Sequence, residues 1–121
     1  PVYYVQYAYA RLCSIIDSYD QKNELKKVDL SFLKTEFEKN LIDSLDFFPH
    51  VIMESVEKLQ TQNIAQFAIE LAKDLQKFYE NCRVISDDFE LTKARMILIS
   101  ACKVVLKNTL DIMGINAPER M

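Results

Sequence analysis

The sequence predicts an all-α fold, a bundle of about five helices joined by short loops. Three observations carry that prediction. Among 121 residues there are one glycine and three prolines, few breakers for such a chain. Apolar residues recur at helical spacing along most of the sequence, the mark of helices with one buried face. Half of the residues are hydrophobic and 27% are charged, the balance of a globular protein with a core. The length suits one domain over residues 1–121.

Helix one is expected from about Val2 to Tyr19, where Val5, Ala8, Leu12, Ile15, Ile16 and Tyr19 share a face. Tyr7 and Arg11, four apart, lie on the neighbouring polar side with Ser14 and Ser18, and Tyr4 sits on the border. Tyr3, Tyr9 and Tyr19 are read as packing at the edge of the core. Asp20 to Lys34 is polar with isolated apolar residues and reads as a connection. Thr35 and Glu38 then have the spacing of a capping box, which starts helix two with Phe37, Leu41, Ile42 and Leu45 as its stripe. Phe47-Phe48-Pro49 is expected to break that helix, with Pro49 in the first turn of helix three. Val51, Ile52, Val56 and Leu59 are the apolar positions of the latter.

Thr61 caps helix four, expected to run to about Val84. Ile64, Phe67, Ala68, Leu71, Leu75, Phe78 and Cys82 form the cleanest stripe in the sequence, with Tyr79 and Arg83 beside it, four apart. Ser86-Asp87-Asp88 is the next connection, and Asp87 with Glu90 has capping-box spacing. Helix five is expected from about Asp88 to Met113. Leu91, Ala94, Leu98, Ala101, Cys102, Val105 and Ile112 face inward, with Thr109 the polar member of the stripe. Lys93, Lys103 and Lys107 read as a solvated sector. Gly114 then supplies a left-handed cap, and Pro118 forbids a return to helix.

Several function classes are excluded. No apolar stretch reaches membrane-spanning length. Three cysteines without C-x-x-C spacing read as buried thiols of a reducing compartment. His50 is the sole histidine, so no metal site is expected. There is no glycine-rich phosphate loop and no G-x-S-x-G, and no catalytic residue is assigned. A net charge of −3 argues against broad nucleic-acid binding, DNA included, but not against a module that reads a few exposed RNA bases. The chain opens on Pro1 directly in a helical pattern, and is expected to be a piece of a longer protein. An all-helical domain of this kind binds something or supports something.

Four segments carry a family resemblance. The chain ends on Gly-Ile-Asn-Ala-Pro-Glu-Arg-Met, residues 114–121. Pro1 to Arg11 reads PVYYVQYAYAR, residues 78–84 read FYENCRV, and Leu91-Thr92 with Ala94-Arg95 forms an L-T-x-A-R segment. Taken in their order along the chain, the segments resemble the C-terminal anticodon-binding domain, called DALR, of arginyl-tRNA synthetases. The family's Phe-Pro step between helices matches Phe48-Pro49. Tyr9 departs from the pattern, since many relatives have histidine there, and residues 20–34 match poorly.

The resemblance implies recognition of the anticodon stem-loop of tRNA(Arg) within a cytoplasmic enzyme that joins arginine to its tRNA. The enzyme uses ATP and magnesium in a catalytic domain of the same chain, upstream of this one, and the HIGH-type and KMSKS-type signatures belong there. No cofactor is implied for these residues themselves. Every arginine codon has guanine in the middle, so every arginine anticodon has cytosine there. Reading it requires splayed bases stacked on aromatics and polar groups for the Watson–Crick edge. By resemblance, Tyr4, Tyr7, Tyr79 and Met121 are the candidates for stacking or packing, and Arg11, Arg83 and Arg120 for phosphate or base contact. A helical protein-interaction module and the related domain of another class I synthetase are the alternatives.

Overall fold

A computed structural model describes residues 2–19 and 25–121. Its elements are α1 (Val2–Ser18), a short 3-10 turn (Leu30–Phe32), α2 (Glu36–Lys58), α3 (Gln62–Asn81) and α4 (Phe89–Ile112). The all-α class is as expected, with four long helices and not five among the described residues. The helices α3 and α4 form the centre and each packs against every other helix. The helices α1 and α2 flank them and do not touch one another. This arrangement leaves two separate grooves along α3, one beside α1 and one beside α2.

The expected break at Phe47-Phe48-Pro49 does not occur. Pro49 lies inside the continuous helix α2. A proline there forfeits the bond to the carbonyl of Leu45 and crowds it, at a cost of about 3 kcal/mol. The apolar stripe offsets this because it stays in phase through the proline. Leu41 and Val51 are buried, and Leu45, Phe48 and Ile52 pack against the core between and beyond them. Full burial of one such side chain contributes about 1.5–3 kcal/mol, so two helices would lose more by turning apart than one loses at Pro49. The continuation also corrects the last two positions of the stripe: Val56 and Leu59 are exposed, Leu59 at 90%.

Helix ends follow local chemistry. Thr35 and Glu38 form the capping box in both directions. Thr61 holds the N-cap position of α3 but makes no side-chain bond there. The cap of α4 is Asp88 and not Asp87, its carboxylate accepting from the Leu91 amide at 3.2 Å. At the far end Gly114 has φ +71°, and Ile115 N donates to Leu110 O at 2.9 Å while Gly114 N donates to Asp111 O at 3.0 Å. Those two bonds are a Schellman termination. Leu59 ends α2 with φ 51°, in the same left-handed region but without glycine's freedom.

The stripe of α3 is buried throughout, from Ile64 to Cys82. Tyr9 on α1 and Tyr19 just past its end are buried as expected, whereas Tyr3 is 72% exposed and packs at no core edge. The inward set of α4 is wider than one stripe. Met96, Ile99, Leu106 and Leu110 are fully buried beside Ala94, Leu98, Cys102 and Thr109, while Ala101 and Ile112 are exposed. A helix with neighbours on several sides has no single wet face. Lys93 shows the consequence. It is 6% exposed and not part of a solvated sector. Its ammonium donates to Lys27 O and pairs with Glu90, both at 3.1 Å. That bond, with Leu25 and Leu33 against the core, ties the 25–34 stretch to α4. The rest of the expected 20–34 connection, and Pro1, lie outside the described residues.

Candidate nucleic-acid interface

The groove between α1 and α3 gathers four of the seven residues singled out from the sequence. Tyr4, Tyr7 and Arg11 project from α1 and Tyr79 from α3, and together they line a groove of about 210 Å³. Local periodicity put Tyr7 and Arg11 on one side of the helix, four residues apart, with Tyr4 at its border. Only packing of α1 on α3 brings that side to Tyr79. The Arg11 guanidinium lies over the Tyr79 ring, 4.1 Å from its centroid. Its Nη1 donates to Gln76 Oε1 at 3.4 Å, and Gln76 Nε2 donates to Glu80 at 3.1 Å. Gln76 was missed in the sequence. Its one signal is its place one turn before Tyr79 on the same side of α3.

Arg83 stands in an adjoining depression that Arg11 and Tyr79 also line, so the two hollows are neighbours. It is exposed, and no carboxylate among the described residues pairs with it. Arg120 and Met121 are not brought to either hollow. They lie exposed at the end of a tail that Ile115 and Ala117 anchor on the core. Gln6 fixes the tail to α1, donating to Asn116 O at 2.9 Å.

The surface chemistry suits a planar, electron-rich ligand with nearby negative charge. One face of Tyr79 is covered by Arg11, and its edge meets Phe78 with centroids 5.8 Å apart. The outer face of Arg11 and the exposed rings of Tyr4 and Tyr7 remain as stacking surfaces. Burial pushes the Tyr79 phenol well above its ordinary value, and the nearby Arg11 charge opposes this only in part. Its hydroxyl is buried without a hydrogen-bond partner. Tyr79 is therefore a neutral pedestal beneath Arg11.

A larger cleft, about 590 Å³, lies between α2 and α3. Asp43, Glu54 and Glu70 rim it above Phe47, Val51 and Phe67. Lys58 holds the Glu54 carboxyl below its ordinary range, so that side chain stays charged at neutral pH. Such a rim repels phosphate. Among the described residues no cluster of His, Cys, Asp and Glu has the makings of a metal site. Among the described residues no helix is long and apolar enough to cross a membrane. All three cysteines are free and buried.

Comparison with known proteins bears on what this surface serves. A family model described as DALR anticodon binding domain matches residues 5–121. A protein named arginine–tRNA ligase from Caldanaerobacter subterraneus is 43% identical over 125 aligned positions, covering 100% of this chain and 22% of the relative. Another of that name, from Symbiobacterium thermophilum, is 41% identical with the same coverage. Among solved structures, Thermus thermophilus arginyl-tRNA synthetase superposes with a TM-score of 0.83 at 31% identity, over 98% of this chain and 21% of that one. The chain thus spans 22% of the length of these curated relatives.

Proposed function

The chain belongs to the DALR anticodon-binding domain family, and on that premise we propose that it reads the anticodon stem-loop of tRNA(Arg) for an arginine–tRNA ligase. The 121 residues then act as one recognition module joined to a catalytic domain of the same polypeptide in the cytoplasm. The observation that carries the reading is the Arg11 guanidinium held 4.1 Å over Tyr79, with Tyr4 and Tyr7 lining the same groove. Splayed loop bases stack on aromatic and guanidinium planes, and their polar edges are read by side chains beside them. Here the planes are Arg11, Tyr4 and Tyr7, and the neighbouring amide is Gln76. Arg83 takes backbone phosphate at the rim. Arg120 and Met121 belong to the reading only if the tail meets the loop from its own side of α1.

Ligation of arginine needs ATP and magnesium, and both are proposed for the catalytic domain of the complete protein. The chain has one glycine, so no glycine-rich phosphate cradle, and among the described residues no group of His, Cys, Asp and Glu could hold a metal ion. The reaction itself is proposed for the complete protein, and this chain supplies selection of the tRNA.

The test compares wild type with Arg11→Ala and Tyr7→Ala in the complete protein, using tRNA(Arg) and the same tRNA with its middle anticodon cytosine replaced. Arg11→Ala is expected to weaken binding of native tRNA by about tenfold, the worth of one stacked or bidentate base contact. The altered tRNA should be bound equally weakly by wild type and variants. If native and altered tRNA bind wild type alike, the anticodon reading fails, and an interaction module becomes the better account.

A further inference from the structure

The connection from α3 to α4 is clamped by residues that the RNA surface does not itself contain. Glu38, on the first turn of α2, is fully buried. Its Oε1 accepts from the Thr35 amide and hydroxyl, both at 3.0 Å, and its Oε2 accepts from Arg95 Nε at 2.8 Å. Arg95, itself buried on α4, has a second branch of its guanidinium to use. Its Nη1 donates to the carbonyl of Arg83 at 2.6 Å. Three residues on, Ser86 N donates to Thr92 Oγ1 at 2.9 Å, and Thr92 Oγ1 donates back to Ser86 O at 3.2 Å. Thr92 and Arg95 both belong to the L-T-x-A-R segment, so that segment works as a double clamp on residues 83–86.

The guanidinium fork explains why arginine stands here. One planar group with a fixed spread of donors spans from the Glu38 carboxylate to the Arg83 backbone. Lysine offers a single ammonium and cannot hold both in the same geometry. The carbonyl being held belongs to the residue whose own side chain stands exposed beside Arg11 and Tyr79. We propose that the buried Glu38–Arg95 pair is a positioning device for RNA binding: it fixes the backbone of Arg83 and thereby the place of that cation beside Arg11. Arg95 and Glu38 touch no RNA in this scheme. The inference rests on the α1–α3 face being an RNA-binding surface.

The experiment is a double-mutant cycle on tRNA affinity in the complete protein. Arg95→Lys keeps a positive charge beside Glu38 but loses the fork. It should raise the Kd for tRNA by about fivefold, within the range of a single coupled contact. It should also lower the slope of log affinity against log salt by about 0.7, one phosphate contact on a single strand. Arg83→Ala should do the same, and the double variant should be no worse than either single one. Glu38→Gln, which keeps an acceptor for the Thr35 amide but removes the charge that orients Arg95, carries the same cycle if Arg95→Lys melts too low to assay. A merely structural role would multiply with Arg83→Ala and leave the salt slope unchanged. That outcome, or wild-type affinity and slope in both Arg95→Lys and Glu38→Gln, overturns the positioning role and leaves the RNA surface standing. A silent Arg83→Ala with a silent Arg11→Ala removes the RNA surface, and the positioning role with it.

Discussion

Tyr79 offers the sharpest test of how this surface is built, because its ring and its hydroxyl have opposite roles. The ring supports Arg11 from below at 4.1 Å, while the hydroxyl is buried with no hydrogen-bond partner. An unsatisfied buried polar group costs about 1–3 kcal/mol relative to its hydrated state. Tyr79→Phe keeps the ring and deletes the unsatisfied group, so it should stabilise the fold by about 1 kcal/mol, seen as a rise of roughly 4 °C in Tm. Tyr79→Ala removes the pedestal. Phe-to-Ala changes in full cores cost about 3–5 kcal/mol, and Tyr79 is only partly buried, so about 2–3 kcal/mol is expected here. The same variant frees Arg11 from its ring and should cost tRNA recognition about 1–3 kcal/mol in kcat/KM. Tyr79→Phe should retain nearly all of that recognition. Thermal melts of the three proteins, with aminoacylation of native and cytosine-replaced tRNA, separate the terms. Under the pedestal account, Tyr79→Ala and loss of the middle cytosine are non-additive, since both damage one recognition event. The reasoning is refuted if Tyr79→Phe lowers Tm or loses recognition. Either result would mean that the hydroxyl has a partner and that Tyr79 is more than a support.

Two further expectations concern stability alone. Leu59→Gly should stabilise the protein by about 0.5–1 kcal/mol, because a 90% exposed leucine held at φ 51° carries left-handed strain and contributes almost no burial. An unchanged or lower urea midpoint would count against that strain. The fold should also weaken in alkali. Burial, and secondarily the Asp74 charge, pushes the Cys102 thiol up to about 12, while burial and then the bond to Cys13 push Tyr9 up to about 12. Both groups stay neutral when folded and ionise at lower pH when unfolded, so their stabilisation is fully present below the ordinary thiol value of 9.0. It is lost as pH climbs towards the folded values, at up to about 1.4 kcal/mol per pH unit for each group. Urea titrations from about pH 8 to pH 10.5 should show the decline, with a shallower slope in Cys102→Ala. A flat profile would show that neither group is held neutral by the fold.

Local chemistry was enough for much of this protein. The stripe of α3, the Thr35–Glu38 capping box and the Gly114 termination are set by residues within a turn or two of one another, and each was legible in the sequence. A helix repeats every 3.6 residues whatever surrounds it, so one-sided burial leaves a readable period. The same argument placed Tyr7 and Arg11 on one side of α1 with Tyr4 at its border. Where the sequence misled, a local rule was overruled at a distance. Pro49 reads as a break, yet the stripe that continues past it packs on α3 and α4, and that burial decides. Lys93 reads as solvated, yet α4 has neighbours on several sides. Arg11 with Tyr79 and Arg95 with Glu38 are pairs that join different helices, and Arg95 also joins α4 to the Arg83 carbonyl in the α3–α4 connection. No periodicity encodes them. A charge or a ring acquires its partner only when packing fixes distance and direction between helices, and that is settled by the shape of the whole core.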